Sequence, residues 1–175
     1  MKGDNTMAEN IIIDGAQIWA RNFSGKEGKF NAAGNRNFNL WLEPKLAAAL
    51  RKDGWNVKEY APKSDPDAEP RPFIKVAVNY NYIPPKIYRV GANGKKVGLD
   101  EDNVGNLDWE EIKNVRIVVR PYHWEVNGKE GIKAYVKTMY VEIEEDPFES
   151  RYEEDEGFDP SFLPSANNDE EVPFR

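Results

Sequence analysis

The five residues Asn127-Gly128-Lys129-Glu130-Gly131 separate two long runs, Val115–Val126 and Ile132–Glu144, both rich in β-branched and aromatic residues. Asn-Gly between two such runs is a strong hairpin signal, because both residues accept the positive φ of a turn that matches strand twist. A lone two-stranded hairpin is marginal in water. This one must bury a face against further strands or a helix, which the chain before it has to supply.

That earlier chain supplies them. In Ile11–Phe23, Ala16, Ile18 and Ala20 alternate with Gln17, Trp19, Arg21 and Phe23. Strand periodicity sends the two sets to opposite faces. After a Gly-, Lys- and Asn-rich loop at 24–36, Asn37–Leu42 points Phe38, Leu40 and Leu42 inward and Asn39 and Trp41 outward. A short helix follows, with Pro44 in its first turn, Leu46 and Leu50 as its apolar stripe and Gly54 as its stop. Trp55–Tyr60 reads as a third strand, and Ala61–Pro72 as a loop with four prolines. Phe73–Tyr82 alternates most cleanly. Lys86–Val90 and Lys95–Leu99 flank the turn Gly91-Ala92-Asn93-Gly94, and Asp108–Lys113 reads as one helical turn.

Five to eight strands with one or two short helices define a mainly β domain. An OB-fold-like five-stranded barrel fits best, because a helix sits between early strands and the last hairpin is long. A plain β-sandwich is the alternative, and alternation alone does not separate the two.

Charge divides the chain. Residues 144–175 hold 12 acidic and 2 basic side chains, whereas residues 1–143 hold 19 acidic and 22 basic ones. The net −7 therefore conceals a body at +3 and a tail at −10. The tail's acids, Pro, Ser and Asn cannot bury enough apolar area to offset their ordering entropy. The expected organisation is a flexible N-terminus at 1–10, an OB-fold-like domain at 11–144 and an acidic, largely disordered interaction tail at 145–175. Residues 1–10 lack the apolar core of a secretory signal, and no apolar run reaches the ~20 residues of a membrane span. With zero cysteines, this pattern favours a cytoplasmic setting and no membrane partner.

Catalysis finds little support. His123 is the one histidine, so a Ser-His-Asp arrangement would rest on it alone. Gly91–Lys96 lacks the spacing and the Ser or Thr of a phosphate loop. Asp100-Glu101-Asp102 lacks the ligand pattern of an EF-hand. The expectation is no enzyme, no cofactor and no metal site.

Binding has more to draw on, since rings make up 12% of the chain, more than a core alone calls for. Cations and rings fall together on faces directed away from the inferred core. They are Trp19, Arg21 and Phe23 on the first strand, Lys26, Lys29 and Arg36 in the first loop, and Trp41 and Lys75 on the next strands. Lys86, Tyr88 and Arg89 follow in the middle hairpin, and Arg116, Arg120, Tyr122, Trp124 and Lys137 in the last one. Lys133 and Tyr135 share the face expected for Lys137. Single-stranded nucleic acid calls for this mixture: phosphates attract Lys and Arg, and unpaired bases stack on rings at ~1–3 kcal/mol each.

The tail ends in Asp169-Glu170-Glu171-Val172-Pro173-Phe174, then Arg175. These residues resemble the acidic tip of bacterial single-stranded DNA-binding proteins. The segment Ile18-Trp19-Ala20-Arg21-Asn22-Phe23 and the long late hairpin look more like the phage-encoded single-stranded DNA-binding proteins. The resemblance implies an OB-fold that binds single-stranded DNA without sequence preference in replication, recombination and repair. It also implies a tail that recruits replication or recombination proteins through Asp169–Phe174. In that family the tip ends at Phe with a free carboxylate, whereas here Arg175 follows. Oligomeric state is left open, a homodimer included. The competing readings are a DNA-mimicking inhibitor, against which the gathering of acids in the tail argues, or another protein-interaction β-domain of a phage, for which such a tail would be incidental.

Overall fold

A computed structural model describes residues 8–145. All but Glu145 fall in the first of two units into which the chain divides, Met1–Glu144 and Glu145–Arg175. In chain order the elements are β1 (Ile11–Asp14), β2 (Ile18–Asn22), β3 (Arg36–Trp41), α1 (Pro44–Asp53), β4 (Lys58–Tyr60) and β5 (Arg71–Val78). They continue with β6 (Lys86–Val90), β7 (Lys96–Leu99), a 3-10 turn (Val104–Asp108), β8 (Ile112–Val126) and β9 (Lys129–Ile143). The protein is mainly β, as its alternation predicts. Among the described residues no helix is long and apolar enough to cross a membrane.

β8 and β9 form the expected hairpin, paired from Ile112↔Ile143 to Val126↔Lys129. Its turn is tighter than the five-residue spacer suggests. Asn127 (φ 53°) and Gly128 (φ 79°) alone make it, and residues 129–131 join the strand.

The sheet path runs β1-β8-β9-β5-β3-β2. Its ends, β1 and β2, are two halves of one N-terminal run, broken at Gly15 (φ 84°). The N–H groups of Gly15 and Ala16 donate to Val115 O at 3.0 and 2.8 Å, while Gln17 O accepts from Trp41 N at 3.0 Å. The broken strand is thus bonded to β8 on one side and to β3 on the other. Counting it once gives five strands that close on themselves, with β5 and β9 the parallel pair. That is the connectivity of an OB-type barrel. β4 adds to the edge of β5, and β6 with β7 to the far half of β9.

The barrel interior is filled by the apolar set of each strand, including Phe38, Leu40, Ile74, Val76, Ile117, Val119, Val136 and Met139. Each such side chain adds roughly 1.5–3 kcal/mol by leaving water. α1 starts at Pro44, buries Ala47 and Leu50, and ends at Gly54 in the left-handed conformation (φ 101°). Trp55, 4% exposed, follows directly and bridges to Ile132, so the strand expected at Trp55–Tyr60 begins only at Lys58. The second helical turn forms at Val104–Asp108 rather than at Asp108–Lys113. Asp100 Oδ1 accepts the N–H groups of Asp102 and Asn103 at 2.9 and 3.2 Å, which starts the turn early, and Ile112 is drawn into β8.

Two irregularities move side chains between faces. In β2, Ala20 has φ 54°, and the register to β3 shifts between Trp19↔Asn39 and Asn22↔Asn37. Trp19 therefore stays outside while Phe23 turns into the core. In β9, Val119 pairs with Val136 but Val118 with Thr138, leaving Lys137 as the extra residue. Before this bulge β9 runs beside β5; after it, beside β6.

A left-handed alanine costs about 1–2 kcal/mol relative to ordinary backbone, and glycine returns roughly 0.5–1 of that as chain entropy. Ala20→Gly is expected to raise stability by about 0.5–1 kcal/mol, seen as a higher urea midpoint with an unchanged m-value.

Candidate nucleic-acid interface

The outer face of β3, β5 and β9 holds an open groove with a volume of about 800 Å³. Strand register builds its floor. Asn37 lies beside Ala77 and Ala77 beside Tyr135; Lys75 lies one residue before the Val76↔Ala134 pair, next to Lys133. The first long loop, with Phe30, Asn31 and Asn35, forms one wall, and the β8–β9 hairpin, with Trp124 and Glu130, forms another. Lys58, Asn79, Asn81 and Glu101 complete the rim.

Four cations (Arg36, Lys58, Lys75, Lys133) meet two carboxylates (Glu101, Glu130) in this lining, so the groove attracts anions. Lys58, Lys75 and Lys133 form no ion pair among the described residues. Arg36 is held in place: its Nη2 donates to Glu101 O at 3.2 Å and lies 4.0 Å from the Glu101 carboxylate. Its guanidinium stands 5.9 Å from the Tyr80 ring centre. Burial pushes the Tyr80 hydroxyl up to about 12, with Asp100 and Glu101 adding to the rise and Arg36 opposing it. Tyr80 therefore keeps its proton at any physiological pH, and its buried oxygen has no hydrogen-bond partner among the described residues.

The loop that carries Phe30 is fixed by one amide. Asn31 Nδ2 donates to the carbonyls of Lys26, Ala32 and Asn35 at 3.0, 3.1 and 3.0 Å, and its Oδ1 accepts from Asn37 Nδ2 at 2.9 Å. Gly28 and Asn31 also exchange backbone hydrogen bonds at 2.8 and 3.2 Å. Phe30, 89% exposed, thus stands on an ordered loop. Opposite, the Trp124 indole packs against Gly131, where a Cβ would come within 2.7 Å of the ring. Between the walls, Tyr135 carries the Arg120 guanidinium at 5.0 Å and the Lys133 ammonium at 5.4 Å, with Tyr122 edge-on at 6.0 Å.

Of the side chains singled out in the sequence, Arg36, Lys75 and Trp124 line the groove, with Arg120 and Tyr122 beside it through Tyr135 and Lys29 next to Phe30 (5.6 Å). Trp19 and Trp41 lie outside this lining, stacked on one another at 4.7 Å. Phe23 is a correction. It is fully buried and stacked on Phe38 at 5.2 Å, so the β2 irregularity leaves it no face open to a ligand. Arg21 is taken up internally too, its Nη1 donating to Leu107 O and Glu110 O at 2.7 and 2.8 Å.

The rest are spread elsewhere. Lys26 caps the Trp109 ring at 5.0 Å. Lys86, Tyr88 and Arg89 sit on β6, where Tyr88 stacks on Tyr140 at 5.0 Å and Arg89 Nε donates to Glu110 Oε2 at 2.9 Å. Arg116 reaches Asp14 at 3.5 Å and Glu142 at 3.7 Å. Lys137 is the exposed bulge residue. Asp169, Glu170, Glu171, Val172, Pro173 and Phe174 lie outside the described residues. Sequence reading missed Phe30, Lys58 and the asparagine wall. Lys29-Phe30 was the available signal, a cation and a ring together in a polar loop.

A five-stranded barrel whose second and third strands and flanking loops form a basic, ring-bearing groove has the layout of the OB-type oligonucleotide-binding class. A family model described as "Putative phage ssDNA-binding domain" matches residues 2–170. The chain belongs to this phage single-stranded DNA-binding family. Among solved structures it is similar to the single-stranded DNA-binding protein from bacteriophage Enc34 in complex with ssDNA, at 12% identity and TM-score 0.50, over 80% of this chain and 89% of that one. The same phage protein as a C-terminal truncation gives 12% identity and TM-score 0.49 over the same shares. A further structure of it gives 12% and 0.47 over 88% and 89%. At this identity the likeness is one of fold. No curated protein matches the chain.

Gly131→Ala is expected to lift the Trp124 indole off β9. Its fluorescence should shift to the red while thermal stability changes little, because the ring is at the surface; an unshifted spectrum would show that the ring does not rest there.

Proposed function

We propose that the protein binds single-stranded DNA without sequence preference, with the strand lying in the groove between Phe30 and Trp124. The observation that carries this reading is the union of exposed rings and lysines without an ion pair among the described residues, on the outer face of an OB-type barrel in a chain of this family. Lys58, Lys75 and Lys133 neutralise phosphates, while Phe30, Trp124 and Tyr135 offer faces to bases. Stacking needs no particular base, so any sequence is accepted. The bound state of the Enc34 protein is consistent with this use of the fold. The protein acts without catalysis, coating strands exposed in phage replication, recombination and repair inside the host cell. The acidic tail recruits other replication proteins, with Phe174 entering an apolar pocket and Asp169, Glu170 and Glu171 meeting basic residues around it.

Titration with oligo-dT is expected to quench tryptophan fluorescence, with affinity falling as salt rises. Trp124→Ala should lose ~1–3 kcal/mol of binding. Lys75→Ala and Lys133→Ala should each flatten the log K against log salt slope by about 0.7. Absence of both quenching and a mobility shift at low salt would reject the proposal.

Removing residues 167–175 is expected to leave oligo-dT affinity equal or higher while binding to replication proteins is lost. Weaker DNA binding by the truncated chain would contradict the tail's role.

A further inference from the structure

A second cluster of rings lies on the same outer face as the groove but does not line it. Trp19 and Trp41 stack at 4.7 Å and 18°, with Phe73 edge-on to both at 5.0 and 6.0 Å. Tyr60 is edge-on to the same two indoles at 5.5 and 6.2 Å and is 45% exposed. The free face of Trp41 carries the Arg71 guanidinium at 4.0 Å. Guanidinium and two indoles form a three-layer stack. This fixes an otherwise flexible cation, and Arg71 makes no ion pair among the described residues.

Parity places this stack in line with the groove. Arg71, Phe73, Lys75 and Ala77 alternate along β5 and share its outer face, and the last two line the groove. On β3, Trp41 shares its face with Asn39, the partner of Lys75. Lys58, which also lines the groove, is the β4 partner of Phe73, and Tyr60 is the partner of Arg71. From Lys75 to Arg71 is roughly 13 Å along the strand. Phe73 lies between them on the same face.

We propose that Arg71 and Tyr60 form a second subsite for single-stranded nucleic acid, in which the held guanidinium takes a backbone phosphate and the Tyr60 ring takes a base. A strand leaving the groove past Lys75 and Lys58 reaches it without crossing an acidic rim. The proposal rests on the groove being the first DNA site, and it fixes the direction in which a longer strand continues.

Oligonucleotide length separates the two sites. OB-folds occupy about 4–16 nucleotides, so oligo-dT of about 5 nucleotides fills the groove and one of about 16 spans both. Arg71→Gln with Tyr60→Ser is expected to weaken the long oligonucleotide by about five- to 100-fold while the short one binds as to the parent chain. Retained short-oligonucleotide binding also shows that the variant is folded. Equal loss on both lengths, or no loss on the long one, would overturn the second subsite. A parent chain that binds neither length would instead overturn the groove reading, and this subsite with it.

Discussion

The pairing of β9 with three neighbours holds the molecule together. Along one side it meets β8 over nearly its whole length; along the other it meets β5 first and then β6. The exchange happens at Lys137, where one extra residue turns the strand and lets a second partner take over. Without it β9 would continue beside the chain of β5, and the segment from Asn79 to Pro85 would have to stay in the sheet. With it, that segment leaves, and Asn79 and Asn81 reach the rim of the groove.

Closure of the barrel also decides which faces are available. The inner face of every strand is spent on the core, so anything the protein binds must use the outer face or the loops. Ring-bearing outer positions, such as Trp41 on β3 and Tyr135 on β9, therefore carry a meaning that buried rings such as Phe38 do not. The cations beside them follow the same logic: Lys75 and Lys133 project outward from strands whose alternate residues fill the interior.

Much of this was legible in the sequence, and what was hidden has identifiable causes. Alternation located β3, β5 and the β8–β9 hairpin and gave the right facing for Phe38, Leu40 and Leu42. It failed where the period itself breaks. The left-handed Ala20 has no sequence mark, since alanine rarely adopts that conformation, and so Phe23 read as an outward ring. Lys137 likewise looked like a continuation of Lys133 and Tyr135. Arg21 shows a different limit: composition says that a cation is present, but not that the backbone carbonyls of Leu107 and Glu110 already occupy it. The groove is harder still to read, because Phe30, Lys75 and Trp124 come from three distant stretches that meet only when β5 and β9 run parallel.

The broken first strand has a consequence for how the protein is made. β1 pairs with β8, so that Ile11 waits for Val119, and the barrel closes only when chain from both ends is present. Such distant pairing raises contact order and slows folding. On the ribosome the first strand emerges long before its partner, with Ile12 exposed even in the finished protein. The polar residues that flank it, Glu9, Asn10 and Asp14, and the break at Gly15 keep the run short, so the nascent chain offers no long bare edge until the hairpin arrives.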